Sequence, residues 1–251
     1  MTETFTAVFA DLVEPRPIEH LGQSDLSYQG QLDPPLKIHE DGGESGCGGK
    51  VWIAGNLLCE FILEKSKDGK ILSQFSGHER QFKNIIELGS GTGLVGLCAG
   101  LHAKYNGVAD TNVFITDIDG LCPLMQKNVE LNNLEGMVHP RALFWGEPLS
   151  DEFTKQPVDL VLAADCVYLE KAFPLLEKTL LDLTAGESQP LVLMSYRKRR
   201  KADKKFFIKI KKEFDIIEIK DFKSYEDYRR QRTYLFQLVR KPARAPHALA
   251  R

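Results

Sequence analysis

Charge of one sign is not in surplus: 33 Lys and Arg stand against 35 Asp and Glu, a formal net charge of −2. That balance argues against a chain that is basic overall and binds polyanions by charge alone. Long apolar runs are missing as well. None approaches the roughly 18 residues that a membrane-spanning helix needs, so no membrane partner is expected. The opening stretch MTETFTAVFADLVEPRP lacks the basic start and apolar block of a signal peptide. Cysteine is scarce and scattered: Cys47, Cys59, Cys98, Cys122 and Cys166 form no C-x-x-C pair. An odd, dispersed set reads as reduced thiols rather than disulfides or a zinc site. No metal and a cytoplasmic location are the resulting expectations.

The chain still has 43% hydrophobic residues, enough for a sizeable core. Residues 1–50 differ from the rest. They are rich in Pro, Gly and acidic residues and end in a glycine-rich piece, Glu40-Asp41-Gly42-Gly43-Glu44-Ser45-Gly46. This reads as an N-terminal arm with short strands at most, such as 36–39, and a flexible loop. Regular patterning runs over 51–240, and 241–251 reads as a C-terminal tail.

Within 51–240, residues 51–65 place Leu57, Leu58, Phe61 and Ile62 at helical spacing. Beyond a polar loop at 66–83, strands are expected at 83–88, 112–117, 138–143, 158–163, 191–196, 214–219 and 233–239. Helices are expected at 93–102, 120–131, 173–183 and 203–212. Strand–helix alternation implies βαβ units and a mostly parallel sheet. The last two strands have no helical pattern between them, which predicts a hairpin and an antiparallel final strand. The fold class is therefore α/β: a Rossmann-like, seven-stranded, mostly parallel sheet with an antiparallel last strand and helices on both faces. That is the sheet of a class I methyltransferase.

The first sheet strand runs into IIELGSGTGLVGL. Gly91-Thr92-Gly93-Leu94-Val95-Gly96 matches the dinucleotide fingerprint G-x-G-x-x-G, a weak signal alone. In a doubly wound sheet this turn lies at the ligand-binding end of the strands. A dinucleotide would put its pyrophosphate at the helix N-terminus. Glu87, two residues before Gly89, disfavours phosphates and favours a cofactor carrying cationic centres. S-adenosyl-L-methionine, with a sulfonium and an ammonium, meets that condition. Asp117 ends the next strand, roughly 20 residues after the turn, where an acid can hold both ribose hydroxyls. This does not separate NAD from S-adenosyl-L-methionine. Asp119 is the second choice, although an acid at a helix start is explained by the dipole alone.

With these residues placed, the chain resembles the family-16 seven-strand protein methyltransferases. The resemblance rests on Val51-Trp52, Glu87-Leu88-Gly89-Ser90-Gly91-Thr92-Gly93, Thr116-Asp117, Trp145-Gly146 and Ala164-Asp165-Cys166-Val167-Tyr168, in the family's order. The glycine string is shared widely; the D-x-x-Y element and the two tryptophans are more specific. One departure is Ile53, where many members have Asp or Pro. The resemblance implies that Trp52 packs near the cofactor, that Gly89, Ser90 and Gly91 line it, that Asp117 holds its ribose, that Trp145 stands by its adenine and that Ala164 offers backbone. It further implies a protein-lysine acceptor, with translation elongation factor 1-alpha as the expected substrate, and a monomer. A core role is the default for any tryptophan, but Trp145 sits at a strand end on the ligand side, where an aromatic can stack on a purine.

Methyl transfer to lysine needs a neutral amine, and the reference pKa of lysine is about 10.4. The site must desolvate the amine or help its proton leave. Asp165, directly after the fourth strand, is placed to orient the amine and assist deprotonation; the alternative is a helix N-cap. Tyr168 can position the amine by hydrogen bond or face it with its ring; the alternative is packing. Cys166 reads as a small buried residue. The Asn/Asp-Pro-Pro-Tyr element that grips a base amine is absent here. Against this, ten of the sixteen residues in 197–212 are Lys or Arg. A run of that kind can hold RNA phosphates, and an RNA methyltransferase is the alternative. A solvated helix face is the simpler account, with Phe206, Phe207 and Ile210 facing the core.

Overall fold

The computed structural model describes residues 23–41, 45–75, 82–108, 110–186 and 189–242. Parts of the expected arm, of the 66–83 loop and most of the expected C-terminal tail lie outside the described residues.

Two short strands come first, β1 (Gln23–Leu26) and β2 (Leu36–His39), followed by α1 (Ile53–Lys65) and β3 (Asn84–Leu88). Then come α2 (Leu94–Tyr105), β4 (Asn112–Asp117), α3 (Cys122–Leu131), β5 (Val138–Ala142), a single turn α4 (Asp151–Thr154) and β6 (Leu160–Ala164). The chain continues with α5 (Phe173–Leu183), β7 (Leu191–Arg197), α6 (Lys204–Ile210), β8 (Phe214–Glu218), α7 (Tyr225–Arg230) and β9 (Thr233–Arg240). The main sheet has seven strands in the order β5-β4-β3-β6-β7-β9-β8. β3 to β7 are parallel, and β9 runs antiparallel to both β7 and β8. The expected sheet and its antiparallel last strand are thus present. The expected helix-free hairpin before it is corrected: α7 lies between β8 and β9. That helix is short and charged, and only Tyr228 is buried, so it carries almost no apolar period to read.

Period-2 alternation builds the core on both faces of the sheet. Ile85, Val113, Ile115, Leu160, Leu162 and Leu193 pack under α1 and α2. Ile86, Val161, Ala163, Val192 and Met194 pack under α5 and α6, where Phe173, Leu176, Leu180, Phe206 and Ile210 meet them. Strands buried on both faces read as near-continuous apolar runs, as in Leu160–Ala164.

The arm is fastened by two asparagines of α3. Asn128 accepts from the His39 amide at 2.7 Å and donates to the His39 carbonyl at 3.1 Å. Asn132 does the same for Lys37, at 2.9 and 2.7 Å. Four residues of helix rise about 6 Å, and two residues of strand span about 6.6 Å. The i,i+4 side-chain amides therefore match alternate residues of β2 and act as a strand edge. Leu36 and Ile38, pointing the other way, are fully buried.

Candidate active site

Six segments converge at the C-terminal ends of the parallel strands. They enclose a cavity of about 550 Å³, within the range for small-molecule sites. Every site residue singled out from the sequence lines it: Trp52, Glu87, Gly89, Ser90, Gly91, Asp117, Trp145, Ala164, Asp165 and Tyr168.

The glycine turn is built by close approach. Gly89 has φ +59, and a Cβ there would stand 2.8 Å from the Trp145 ring. Gly91 has φ +55, and its Cβ would meet the Gly48 carbonyl oxygen at 2.8 Å. Only glycine suits both conditions. Ser90 is a structural tie. Its hydroxyl donates to the Glu87 carbonyl at 3.1 Å and accepts from the Thr116 amide at 2.9 Å, joining the ends of β3 and β4.

Glu87 is buried, and its Oε2 accepts from the Gly96 amide at 2.8 Å, inside the first turns of α2. It satisfies one of the amides that a helix start leaves open. Burial pushes its carboxyl up to about 8, against the opposing pull of the Gly96 amide. Asp117 accepts from the Gly91 amide at 2.9 Å through Oδ2 and from the Ile118 amide at 2.8 Å through Oδ1. Burial again dominates and raises its carboxyl to about 6. Asp119 lies exposed in a 3-10 turn (Asp119–Leu121), where it serves the turn.

Trp145 follows β5, and the Gly146 amide after it donates to Thr179 Oγ1 at 2.9 Å, fixing that turn to α5. The Trp145 indole N–H is buried and has no hydrogen-bond partner among the described residues. The Trp52 indole N–H donates to the Cys47 carbonyl at 2.8 Å. Ala164 ends β6 beside the cavity.

Asp165 is not a helix N-cap. It has φ +60, and its amide donates to the Ser195 carbonyl at 2.9 Å. Its carboxylate takes a bidentate pair from Arg199, Nη1 to Oδ1 at 2.7 Å and Nη2 to Oδ2 at 2.5 Å. Both oxygens are therefore engaged by a guanidinium, a group reserved for planar recognition of this kind. The Arg199 guanidinium also lies over the Trp52 ring, 5.3 Å from its centroid. Tyr168 faces the same cavity. Burial, then the nearby Asp117 charge, pushes its phenol well up, so it stays a hydrogen-bond donor. Cys166 is buried, its thiol directed to the Leu88 carbonyl at 3.1 Å and raised by burial, so it is no nucleophile.

Sequence reasoning missed two parts of the wall. One is the end of the arm, where Cys47, Gly48 and Lys50 line the cavity. This segment is pinned by Glu40, which accepts from the Val51 amide at 2.7 Å, and by Asp41, which accepts from the Ser45 amide at 3.0 Å. The acid-glycine composition of 40–49 was the available signal. The other is Arg199, which the basic run contained but did not distinguish from its neighbours. Much of that run is paired: Arg200 with Asp203 at 3.2 Å, Lys209 with Glu177 at 2.6 Å, and Lys205 with Glu170. Phe206 and Ile210 are core.

The residues fit S-adenosylmethionine. A glycine cradle stands beside an aromatic ring, a half-buried carboxylate sits at the end of the second parallel strand, an indole donor lacks a partner, and no basic side chain comes from the glycine turn to receive phosphates.

Comparison with known proteins agrees. A family model described as lysine methyltransferase matches residues 31–213. The protein-lysine N-methyltransferase EFM6 of Saccharomyces cerevisiae is 61% identical over 246 residues, covering 95% of this chain and 100% of the yeast protein. The protein N-lysine methyltransferase METTL21A of Danio rerio is 34% identical over 187 residues, covering 73% of this chain and 76% of its own. Among solved structures, the METTL16 methyltransferase domain overlays with a TM-score of 0.50 at 12% identity, over 76% of this chain and 84% of that domain; this concerns the fold alone. The chain is an S-adenosylmethionine-dependent enzyme and belongs to the lysine methyltransferase family.

Proposed function

We propose that this protein methylates a lysine side chain of translation elongation factor 1-alpha, in the cytoplasm and as a monomer. Lysine as the acceptor is carried by one observation, the 61% identity to a protein-lysine N-methyltransferase over that protein's full length. The elongation-factor reading rests on the sequence resemblance at Trp52, the glycine turn and Asp165–Tyr168. The cytoplasmic reading rests on five unbridged cysteines.

When bound, the cofactor supplies an electrophilic methyl group. Gly89, Ser90 and Gly91 would form its floor and Asp117 would hold its ribose. Trp145 would cover its adenine, and Trp52 and the Ala164 backbone would complete the wall. Glu87, beneath the turn, fastens the start of α2 through the Gly96 amide, and burial favours its neutral form. Asp165 and Tyr168 stand where the cavity opens past β6. Their task is alignment of the incoming amine, since proximity dominates an in-line displacement. The Tyr168 hydroxyl donates and the Asp165 carboxylate accepts, so the two are complementary to an amine that both accepts and donates.

The RNA alternative has less charge to draw on than the sequence offers, since four of the ten basic residues of the run, Arg199, Arg200, Lys205 and Lys209, are paired with acids. The test is methyl-labelled cofactor incubated with purified elongation factor 1-alpha, and in parallel with total protein and total RNA. Label on a lysine of the factor is the expected result. Label confined to RNA would overturn the lysine reading, and label on another protein would overturn only the substrate.

A further inference from the structure

The acid expected to take the lysine proton has both oxygens occupied. Asp165 receives two hydrogen bonds from Arg199 and a third contact from the Arg197 amide at 3.3 Å. The Asp165 side chain is 7% exposed and that of Arg199 is 30% exposed. A carboxylate matched by a guanidinium at this geometry has its charge met and does not need a second cation. Arg199 lines the same cavity as Asp165, Tyr168 and Trp52. Its guanidinium is held in place from two sides, by the Asp165 fork and by the Trp52 face.

We propose that Arg199 is a positioning residue that keeps the acceptor lysine in its neutral form: by pairing with Asp165 it cancels the carboxylate charge that would otherwise hold the amine as an ammonium. This inference rests on the lysine reading above. The physical ground is that an uncompensated opposite charge nearby favours the charged form of an ionisable group, whereas burial disfavours it. The ammonium then gives its proton to water at the open side of the cavity. The Asp165 oxygens orient the amine without having to carry that proton.

The surroundings leave the Asp165–Arg199 pair in control. Arg200 and Asp203, on the same loop, pair with each other at 3.2 Å. Asp203 also accepts from the Tyr196 hydroxyl of β7 at 2.9 Å. From the arm, Cys47 and Lys50 line the same cavity, as do Glu87, Asp117, Glu147 and Tyr168. Burial raises the Cys47 thiol and the Tyr196 and Tyr168 phenols, which keeps them neutral.

The measurement is kcat against pH at saturating substrate, which reports ionisation in the bound complex. The product is verified as N-methyl-lysine by mass spectrometry. In the wild type, kcat is expected to rise with a midpoint below the reference of about 10.4 for free lysine. Arg199→Gln removes the cation and uncovers the Asp165 charge, so the midpoint moves up by about one unit or more. Asp165→Asn leaves the cation unopposed, and the midpoint moves down. Arg199→Lys keeps the charge and stays close to wild type in midpoint, even with a lower maximum. The same midpoints are read without turnover by NMR of a 13C-labelled acceptor lysine bound with the demethylated cofactor. Equal reductions of kcat at every pH, with no shift in either variant, would mean that the pair is only structural and would overturn the proposal. A wild-type midpoint at the free-lysine value would overturn it too, whether or not the variants fold. If no N-methyl-lysine forms in the wild type, the lysine reading fails first, and the result is distinguishable from an unshifted profile on a methylated lysine.

Discussion

The Gly91 amide donates to the Asp117 carboxylate at 2.9 Å, so the turn that follows β3 is tied to the last residue of β4. The acid expected to bind ribose also shapes the loop on which the cofactor would rest. Asp117→Ala removes both functions. Losing charge-assisted hydrogen bonds of about 1.5–3 kcal/mol in total is expected to weaken cofactor binding by roughly 10- to 150-fold. Asp117→Asn keeps an acceptor for Gly91 and should fall in between. Calorimetric titration measures both, and unchanged affinity in the alanine variant would place the ribose elsewhere.

Gly96 is a packing glycine inside α2. A Cβ there would lie 2.3 Å from Ile115 Cγ2 and 3.0 Å from Glu87 Oε2. Helix propensity alone would make alanine better by about 1 kcal/mol. Overpacking of a core opposes this by about 1–3 kcal/mol, and that Ile115 branch belongs to a stiff, fully buried side chain. Gly96→Ala is therefore expected to be net destabilising by up to about 2 kcal/mol, read as a lower denaturant midpoint. A stabilised variant would show that β4 can retreat from α2.

Glu87 makes the free protein sensitive to pH. Its carboxyl is raised by burial to about 8 from the ordinary 4.5. The folded state thus holds this proton more tightly than the unfolded state does. The stabilisation is complete below about 4.5 and is lost as pH rises through about 8. Asp117 adds a smaller effect of the same sign, ending near pH 6. Glu87→Gln keeps an acceptor for the Gly96 amide and has no proton to lose. The difference in Tm between wild type and this variant should change steadily from pH 5 to 8.5, against the wild type at the alkaline end. A constant difference would mean that Glu87 is ionised throughout.

Of the five thiols, Cys59, Cys98 and Cys166 are buried, whereas Cys47 and Cys122 are partly accessible. A maleimide probe should label two sites slowly in the native protein and five after denaturation. Cys47 lines the cavity, so saturating cofactor should slow its labelling and leave Cys122 unaffected. Equal rates with and without cofactor would place the ligand away from the arm.

Local signals carried much of the fold. The expected strand at 112–117 and helix at 173–183 coincide with Asn112–Asp117 and Phe173–Leu183, since both have clear periods and distinct ends. The glycine turn and its acid were legible because their backbone requirements are local. What escaped was long-range. Arg199 meets an acid 34 residues earlier in the chain and a ring from the arm, and no spacing rule connects them. The left-handed conformation of Asp165 gave no sign either, because aspartate adopts it only where other contacts hold it. The end of the arm enters the cavity wall through hydrogen bonds that its own backbone amides donate to Glu40 and Asp41, in a sequence whose composition signals only a loop.

The position of β9 bears on how the protein is made. It is the last described strand in the chain, yet it lies between β7 and β8, and among the described residues it is the one strand that pairs with β8. As the polypeptide leaves the ribosome, β7 has its core face ready but one edge open until residues 233–240 arrive. An unpaired strand edge is a template for pairing with other chains. Synthesis that stalls within α7 would therefore release a molecule with a nearly complete cofactor cavity and an adhesive flank, so the cell's exposure to its aggregation depends on finishing the final strand.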